Sequence, residues 1–271
     1  MNLMFFPVLA LSALLFGFGY RVGIRPAASG VSWSAYAAAS VFAAPGILFA
    51  VYYLHLFDDA VWFYRIRSWP LSELSASGAG LLAGLIQAWT VRQGRRSRVL
   101  IPGLLLAGLC VPYLKPVVAP LDLTTLAAAC PDGVCLQSTP STCGPSSVAS
   151  ILRLFAVEET EATLAKEAFT SAGGTENWYL ARALRRRGFP VRYVVVARPV
   201  AQLPFPSVAG VVLPGGLGHF IAVLAETDTT WVVGDPMYGR VNVSKSRPGD
   251  AYDFTGFFMV VGNPDRARQI M

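Results

Sequence analysis

Residues 137–152 read Q-S-T-P-S-T-C-G-P-S-S-V-A-S-I-L, and this stretch decides how the second half of the chain folds. Apolar residues recur here with the spacing of one helical face, at Val148, Ile151, Leu152 and Phe155. The pattern predicts a helix over residues 144–156, with Cys143 at its head. A helix N-terminus carries partial positive charge and unpaired N–H groups, which favour the thiolate form of a cysteine. Taken alone, Cys-Gly-Pro also fits a small buried residue at a helix–loop junction.

The chain after this helix predicts further helices first and strands afterwards. A polar helix is expected over 158–169, and another from a cap near Thr175 to a stop at Gly188. Apolar, β-branched runs separated by Gly and Pro clusters then predict strands, at 191–197, 208–213, 219–225, 230–234 and 256–261. This order predicts an α+β fold in which helices pack on an antiparallel sheet.

The first half of the chain has the composition of a membrane protein. Hydrophobic residues make up 54% of the chain and charged residues 14%, and nearly all of the apolar excess precedes residue 120. A spanning helix needs about 20 mainly apolar residues, and about four stretches qualify: 3–20, 31–55, 73–91 and 99–119. We expect a transmembrane helical region over 1–119 and a soluble domain over 120–271. The alternative for the first stretch, a cleaved signal peptide, lacks a basic start and a small-residue cleavage site before Arg21.

The loop charges predict how the chain is oriented in the bilayer. The loop with Arg21 and Arg25 contains no acid, and the same is true of a later loop with four arginines, Arg92, Arg95, Arg96 and Arg98. Positively charged loops of this kind face the cytoplasm. The N-terminus, the second loop and the C-terminal domain should then lie on the outer side of a multi-pass protein in a bacterial inner (cytoplasmic) membrane.

Cys130 and Cys135 flank the turn sequence in C-P-D-G-V-C. On the outer side of a membrane such a pair can oxidise to a disulfide. Two free thiols are the alternative, and half of a zinc site is another, although no second ligand pair lies near them in the sequence.

Three polar residues join Cys143 as candidates for chemistry. His219 opens the run H-F-I-A-V-L after a glycine-rich segment and is the single histidine of the second half. Asp235 ends the neighbouring strand T-W-V-V-G, where a carboxylate can orient an imidazole. Gln137, six residues before Cys143, carries an amide suited to an oxyanion hole. A structural histidine, a turn-forming Asp-Pro and a surface glutamine are the ordinary alternatives, but papain-like enzymes also place nucleophile, base and orienting residue in this order.

The segment from Leu136 to Val261 resembles the C39 family of cysteine peptidases, the papain-like bacteriocin-processing enzymes. The resemblance rests on Gln137, on C-G-P-S-S, and on the runs G-G-T-E-N-W-Y-L-A-R-A-L-R-R-R-G-F, G-H-F-I-A-V-L and W-V-V-G-D-P-M-Y-G. The C-G-P-S-S form is more like the stand-alone branch than the transporter-fused one, and Thr142 stands where the family often has an acid. The resemblance implies Cys143 as nucleophile, His219 as base, Asp235 as its partner and Gln137 as oxyanion donor.

We therefore expect a membrane-anchored cysteine peptidase that acts on secreted or membrane-emerging peptides and proteins without a cofactor or metal. A non-proteolytic acyl-transfer enzyme, such as an amidase or peptidyl transferase, is the first alternative, and a non-catalytic peptide-binding module of an export system is the second. The net charge of +6 lies mainly in loop arginines and in Arg182 to Arg187, so no nucleic-acid partner is expected.

The second loop carries the charged cluster His55, Asp58, Asp59, Arg65 and Arg67. One interpretation is a solvated loop at the membrane edge. The other is a docking surface for the peptidase domain or its substrate, because both should face the same side of the bilayer.

Overall fold

The computed structural model describes residues 4–25, 32–94, 101, 104, 113, 115–127 and 129–263. These fall into two compact units, Met1–Asp58 with Pro70–Val118, and Asp59–Trp69 with Ala119–Met271. The second unit thus includes a short segment from the first half of the chain. The division into a transmembrane region over 1–119 and a soluble domain over 120–271 stays a prediction.

Helices precede the strands along the described chain. The α-helices are α1 Phe5–Ile24, α2 Trp33–Val51, α3 Val61–Arg67, α4 Gly78–Arg92, α5 Cys143–Arg153, α6 Glu161–Glu167 and α7 Asn177–Arg186. The strands are β1 Val191–Val195, β2 Ser207–Leu213, β3 Leu217–Glu226, β4 Thr230–Asp235, β5 Gly239–Ser244 and β6 Asp253–Val261. Short 3-10 helices lie at Tyr52–Leu54, Ser72–Ser77, Leu123–Thr125, Pro131–Gly133 and Pro248–Asp250.

The described residues of the first unit support two of the four expected membrane spans. Within the described residues, two helical stretches are long and apolar enough to cross a bilayer, Phe5–Ile24 and Ser72–Arg92, and Trp33–Phe49 forms a shorter apolar helix. The expected span 31–55 is shortened because α2 ends at Val51 and gives way to a 3-10 turn. The fourth expected span, 99–119, lies almost wholly outside the described residues.

Small residues let α1 and α4 approach closely within this unit. A side chain added at Gly80 would strike the backbone of Ser12, and one added at Gly84 would strike the backbone of Phe16. Close approach of this kind is how helices pack in a bilayer, where burial of apolar surface gives no driving force between them. These glycines therefore allow the close packing of α1 on α4.

The second unit carries one antiparallel sheet with strand order β1-β6-β2-β3-β4-β5. Helices packed on an antiparallel sheet are the predicted arrangement, and the predicted strands are present with ends shifted by a few residues. β5 was not predicted. It pairs only with β4, as an edge strand, and the alternation of Val241 and Val243 with polar residues is its single sequence signal.

The helices of the second unit differ from the prediction mainly at their ends. Thr160 caps α6 by accepting a hydrogen bond from the N–H of Thr163. Thr175, the predicted cap of α7, is not its cap, because α7 begins after Glu176. The Thr175 hydroxyl instead pairs with the Thr170 hydroxyl at 2.8 Å, which closes the turn ahead of the helix.

Helix α3 is buried against other parts of the second unit. Tyr64 packs on Tyr193 and Phe257 with ring centroids 5.5 and 5.0 Å away. The guanidinium of Arg67, only 1% exposed, lies 4.6 Å from the ring centroid of Trp178. The predicted charged cluster is therefore divided, since His55 and Asp58 form an exposed pair while Arg67 is in a core.

Candidate active site

Cys143 is the first residue of α5, as predicted, and its side chain is nearly buried, with the residue 8% exposed. The next residue, Gly144, packs tightly, because a Cβ there would lie 2.8 Å from a methyl group of Leu180 and 3.3 Å from the ring of Phe220. The close approach fixes the start of α5 against α7 and β3. The thiol is therefore held at one place on the sheet.

Three serines of α5 tie the helix to its neighbours. The Ser147 hydroxyl donates to the carbonyl of Phe220 at 3.1 Å, which joins α5 to the residue after His219. The Ser150 hydroxyl accepts from the N–H of Cys135 at 2.8 Å, and that of Ser146 donates to the carbonyl of Leu136 at 3.4 Å. These bonds bring the segment before Gln137 and the strand of His219 to the same helix.

His219 and Asp235 meet at the ends of adjacent strands. The distance from Nε2 of His219 to Oδ1 of Asp235 is 3.2 Å, and the two residues are 5% and 0% exposed. An ionised carboxylate only accepts hydrogen bonds, so Nε2 carries the proton in this contact. The other ring nitrogen, Nδ1, takes no part in that contact, and the Cys143 side chain raises the pKa of the same imidazole.

The charges of this group are coupled. Burial lowers the pKa of His219, but hydrogen bonds to Asp235 and Cys143 outweigh burial and raise it to about 9. For Asp235, burial raises the pKa, but the hydrogen bonds from His219, the Met237 N–H and Tyr252 outweigh burial and lower the pKa below its usual value. The imidazolium therefore stabilises the fold fully below the usual histidine pKa and loses this effect as pH rises through about 9. The carboxylate stabilises it above the usual aspartate pKa, an effect lost as pH falls through the lowered value.

Gln137 lies beside this group through its backbone. Its N–H donates to the carbonyl of Pro236, the residue after Asp235, at 2.8 Å. Its side-chain Oε1 is buried and has no hydrogen-bond partner among the residues that the structure describes. Glu161 anchors the loop that carries Gln137, because its carboxylate accepts hydrogen bonds from the N–H and the hydroxyl of Ser138 at 2.8 and 2.5 Å.

Several contacts of this region were not predicted from the sequence. The Tyr252 hydroxyl donates to Oδ2 of Asp235 at 2.7 Å, and the Met237 N–H donates to Oδ1 at 2.8 Å. Glu161 is 3% exposed. No local pattern marks these residues, because each acts on a partner that is distant in sequence or through its backbone.

The other cysteines of the second unit form a disulfide between Cys130 and Cys135. The predicted disulfide is thus confirmed, and Cys143 is a free thiol. Across the parts of the chain that the structure describes, no three His, Cys, Asp or Glu side chains are grouped so that they could hold a metal ion.

Helices on an antiparallel sheet, with a cysteine at the head of α5, define a papain-like cysteine peptidase fold. The sequence model of the peptidase C39 family matches residues 133–264. An uncharacterized protein of Methanothermobacter marburgensis is 32% identical over 127 residues, which are 46% of this chain and 84% of that protein. The chain belongs to the peptidase C39 family.

Two solved structures are also similar to this chain. The peptidase domain of Streptococcus ComA, a bifunctional ABC transporter, is 22% identical, with a TM-score of 0.41 over 47% of this chain and 95% of that domain. A double glycine motif protease from an AMS/PCAT transporter, in complex with its leader peptide, is 17% identical, with a TM-score of 0.39 over 50% of this chain and 90% of that one.

The raised pKa of His219 can be measured without any substrate. The chain has two histidines, so nuclear magnetic resonance of the ring nitrogens should give two titrations, and the one missing from His219→Gln belongs to His219. We expect its midpoint at about 9. Asp235→Asn should lower the midpoint, because the imidazolium loses its charged partner. A wild-type midpoint near the usual histidine value of about 6.5 would contradict the geometry described above.

Proposed function

We propose that this protein is a membrane-anchored cysteine peptidase in which Cys143 is the nucleophile, His219 the base and Asp235 the residue that orients the base. The observation that carries the proposal is the buried imidazole of His219, whose Nε2 contacts the carboxylate of Asp235 at 3.2 Å and whose pKa is raised by the side chains of Asp235 and Cys143. A thiol, an imidazole and a carboxylate in this sequence of contacts form the usual arrangement for nucleophilic acyl transfer.

The proposed reaction is hydrolysis of a peptide bond through an acyl-enzyme. With the pKa of His219 at about 9, its ring holds the proton at neutral pH, and Cys143 supplies the thiolate. The sulfur attacks the peptide carbonyl, and the imidazolium gives its proton to the amine that leaves. Water, deprotonated by the now neutral imidazole, then releases the acyl group and restores the thiolate.

Gln137 is proposed to stabilise the negative oxygen that forms in this reaction. Its backbone is anchored beside Asp235, while the buried end of its side-chain amide has no partner among the described residues. A buried polar group of this kind calls for a partner, and a half-turn of the amide presents its NH₂ group. Together with the N–H of Cys143, this donor would form the oxyanion hole.

Substitutions at Cys143 and Gln137 test the mechanism. We expect Cys143→Ala to abolish hydrolysis of a fluorogenic peptide library, because no thiolate remains, without lowering the midpoint of thermal unfolding. Gln137→Ala should lower turnover by about 10²–10³, the effect of losing one oxyanion donor.

The control is Gln202→Ala, which removes the same side chain at an exposed position and no proposed catalytic group. Its turnover should fall far less than that of Gln137→Ala. Undiminished cleavage by Cys143→Ala would refute the mechanism. Labelling of Cys143 by a thiol-reactive probe that needs His219, without cleavage of any peptide, would favour the non-proteolytic acyl-transfer alternative.

We also propose that the peptidase domain lies on the outer side of the membrane. The helices Phe5–Ile24 and Ser72–Arg92 support attachment to a bilayer, and the acid-free loops at Arg21 and Arg92 support the orientation. The disulfide between Cys130 and Cys135 supports an oxidising compartment. The substrates would then be peptides or proteins that emerge from the membrane or are secreted.

Single new cysteines test this orientation in a chain whose Cys110 and Cys143 are replaced by alanine. Asp228→Cys, in the exposed turn between β3 and β4, should react with a membrane-impermeant maleimide in intact cells. Gln93→Cys, also exposed and at the end of α4, should react only after the membrane is permeabilised. The reverse pattern would place the domain in the cytoplasm.

The segment Asp59–Trp69 is proposed to dock on the peptidase domain and so to join it to the membrane region. The guanidinium of Arg182 donates to the carbonyl of Arg67 at 2.6 Å. Arg185 donates to the carbonyl and the hydroxyl of Ser68 at 3.2 and 2.7 Å. Both arginines lie on α7, in the basic cluster that the sequence marked, so their charges serve this contact.

Neighbouring arginines of α7 allow a matched test of the docking. Arg185→Ala should lower the free energy of unfolding by about 1–3 kcal/mol, because hydrogen bonds from a charged donor are lost. It should also speed amide hydrogen exchange across Asp59–Trp69. Arg186→Ala removes only a half-exposed ion pair with Glu167 and should change stability by less than about 1 kcal/mol. Equal exchange in the two variants would contradict the docking.

A further inference from the structure

The carboxylate of Asp235 is held on both of its oxygens. Oδ1 faces Nε2 of His219 at 3.2 Å and accepts from the Met237 N–H at 2.8 Å. Oδ2 accepts from the hydroxyl of Tyr252 at 2.7 Å. Asp235 is fully buried, so these donors take the place of water around its charge.

Tyr252 reaches Asp235 from a separate part of the fold. It stands between the 3-10 helix Pro248–Asp250 and the start of β6, seventeen residues beyond its partner in the chain. Its ring packs edge-on against Phe254, with centroids 5.9 Å apart. The ring is therefore placed by packing, and the hydroxyl is aimed at Oδ2.

The hydroxyl of Tyr252 keeps its proton and donates it in the hydrogen bond to Asp235. Burial and the hydrogen bond to Asp235 raise the pKa of this phenol far above its usual value. The other group that acts on it is Tyr238, at longer range. The imidazole of His219 interacts with two groups from neighbouring elements, Asp235 of β4 and Cys143 of α5. On β2, the residue paired with His219 is the apolar Val211.

We propose that Tyr252 is a positioning residue for the peptidase reaction, one that holds the Asp235 carboxylate in the plane that His219 requires. This inference rests on the proposed function of Cys143 and His219. Without the hydroxyl, Oδ2 would be a buried acceptor with no donor, and the carboxylate could turn away from the imidazole. The pKa of Asp235 would also rise, because its charged form would lose a hydrogen bond.

Tyr252→Phe tests the proposal, since it removes the hydroxyl and keeps the ring on Phe254. The readout is the rate of alkylation of Cys143 by iodoacetamide against pH, measured by mass spectrometry on the peptide that contains Cys143. We expect the acid side of this profile to move upward, because the lost hydrogen bond favours the protonated form of Asp235 and so weakens the proposed thiolate–imidazolium pair. Tyr193→Phe, which removes another buried hydroxyl, should leave the profile unchanged.

A double-mutant comparison separates positioning from a structural effect. If Tyr252 acts through Asp235, Tyr252→Phe should change alkylation little in an Asp235→Asn background. If Tyr252→Phe changes the alkylation of Cys143 equally in the wild-type and Asp235→Asn backgrounds, the inference is overturned. A second measurement needs no variant: in the wild-type chain, the Cζ resonance of Tyr252 should not titrate at the usual tyrosine value of about 10, and a titration there would also overturn it.

The same experiment distinguishes failure of this inference from failure of the proposed function. If wild-type Cys143 has the same alkylation profile as His219→Ala, the thiolate–imidazolium pair is absent and the peptidase mechanism falls. If these two profiles differ but Tyr252→Phe matches the wild type, the mechanism stands and the role of Tyr252 is refuted.

Discussion

The buried charge of Asp235 is the constraint on which the rest of the site depends. A carboxylate with no exposure to water is stable only where donors surround it, and here they come from three places: the ring of His219, the backbone at Met237 and the hydroxyl of Tyr252. Each donor is fixed by its own part of the sheet. The fold must therefore bring together the strand ends of β3 and β4 and the residues just before β6. The orientation of the imidazole follows from this arrangement.

Helix α5 brings the thiol to this point through polar contacts as well as apolar packing. Its apolar face is fully buried, while Ser146, Ser147 and Ser150 bond to backbone groups on either side. These hydroxyls satisfy groups of loop and strand that would otherwise be buried without partners. The run of small polar residues after Cys143 thus serves the placement of the thiol.

Much of the second unit could be predicted from the sequence, and the reasons for the failures are physical. The apolar periodicity of α5 and the β-branched runs of the central strands are local signals, so their order gave the layer of helices on an antiparallel sheet. The candidates Cys143, His219 and Asp235 were named because their order along the chain is that of nucleophile, base and orienting residue in papain-like enzymes, and the structure brings His219 and Asp235 into contact. Tyr252, Glu161 and the edge strand β5 were missed because their roles depend on partners brought close only by the fold. The span predicted at 31–55 was too long because hydropathy does not register where α2 changes into a 3-10 turn.

The segment Asp59–Trp69 has a consequence for how the chain is made. Synthesis proceeds from the N-terminus, and domains generally fold as their residues appear. Tyr64 packs on Phe257, nearly two hundred residues later, so the core of the second unit cannot be completed until Phe257 has left the ribosome. Contacts across such separations slow folding. During that interval the aromatic rings of α3 have no core to enter, and the core of the second unit is incomplete until β6 has been made.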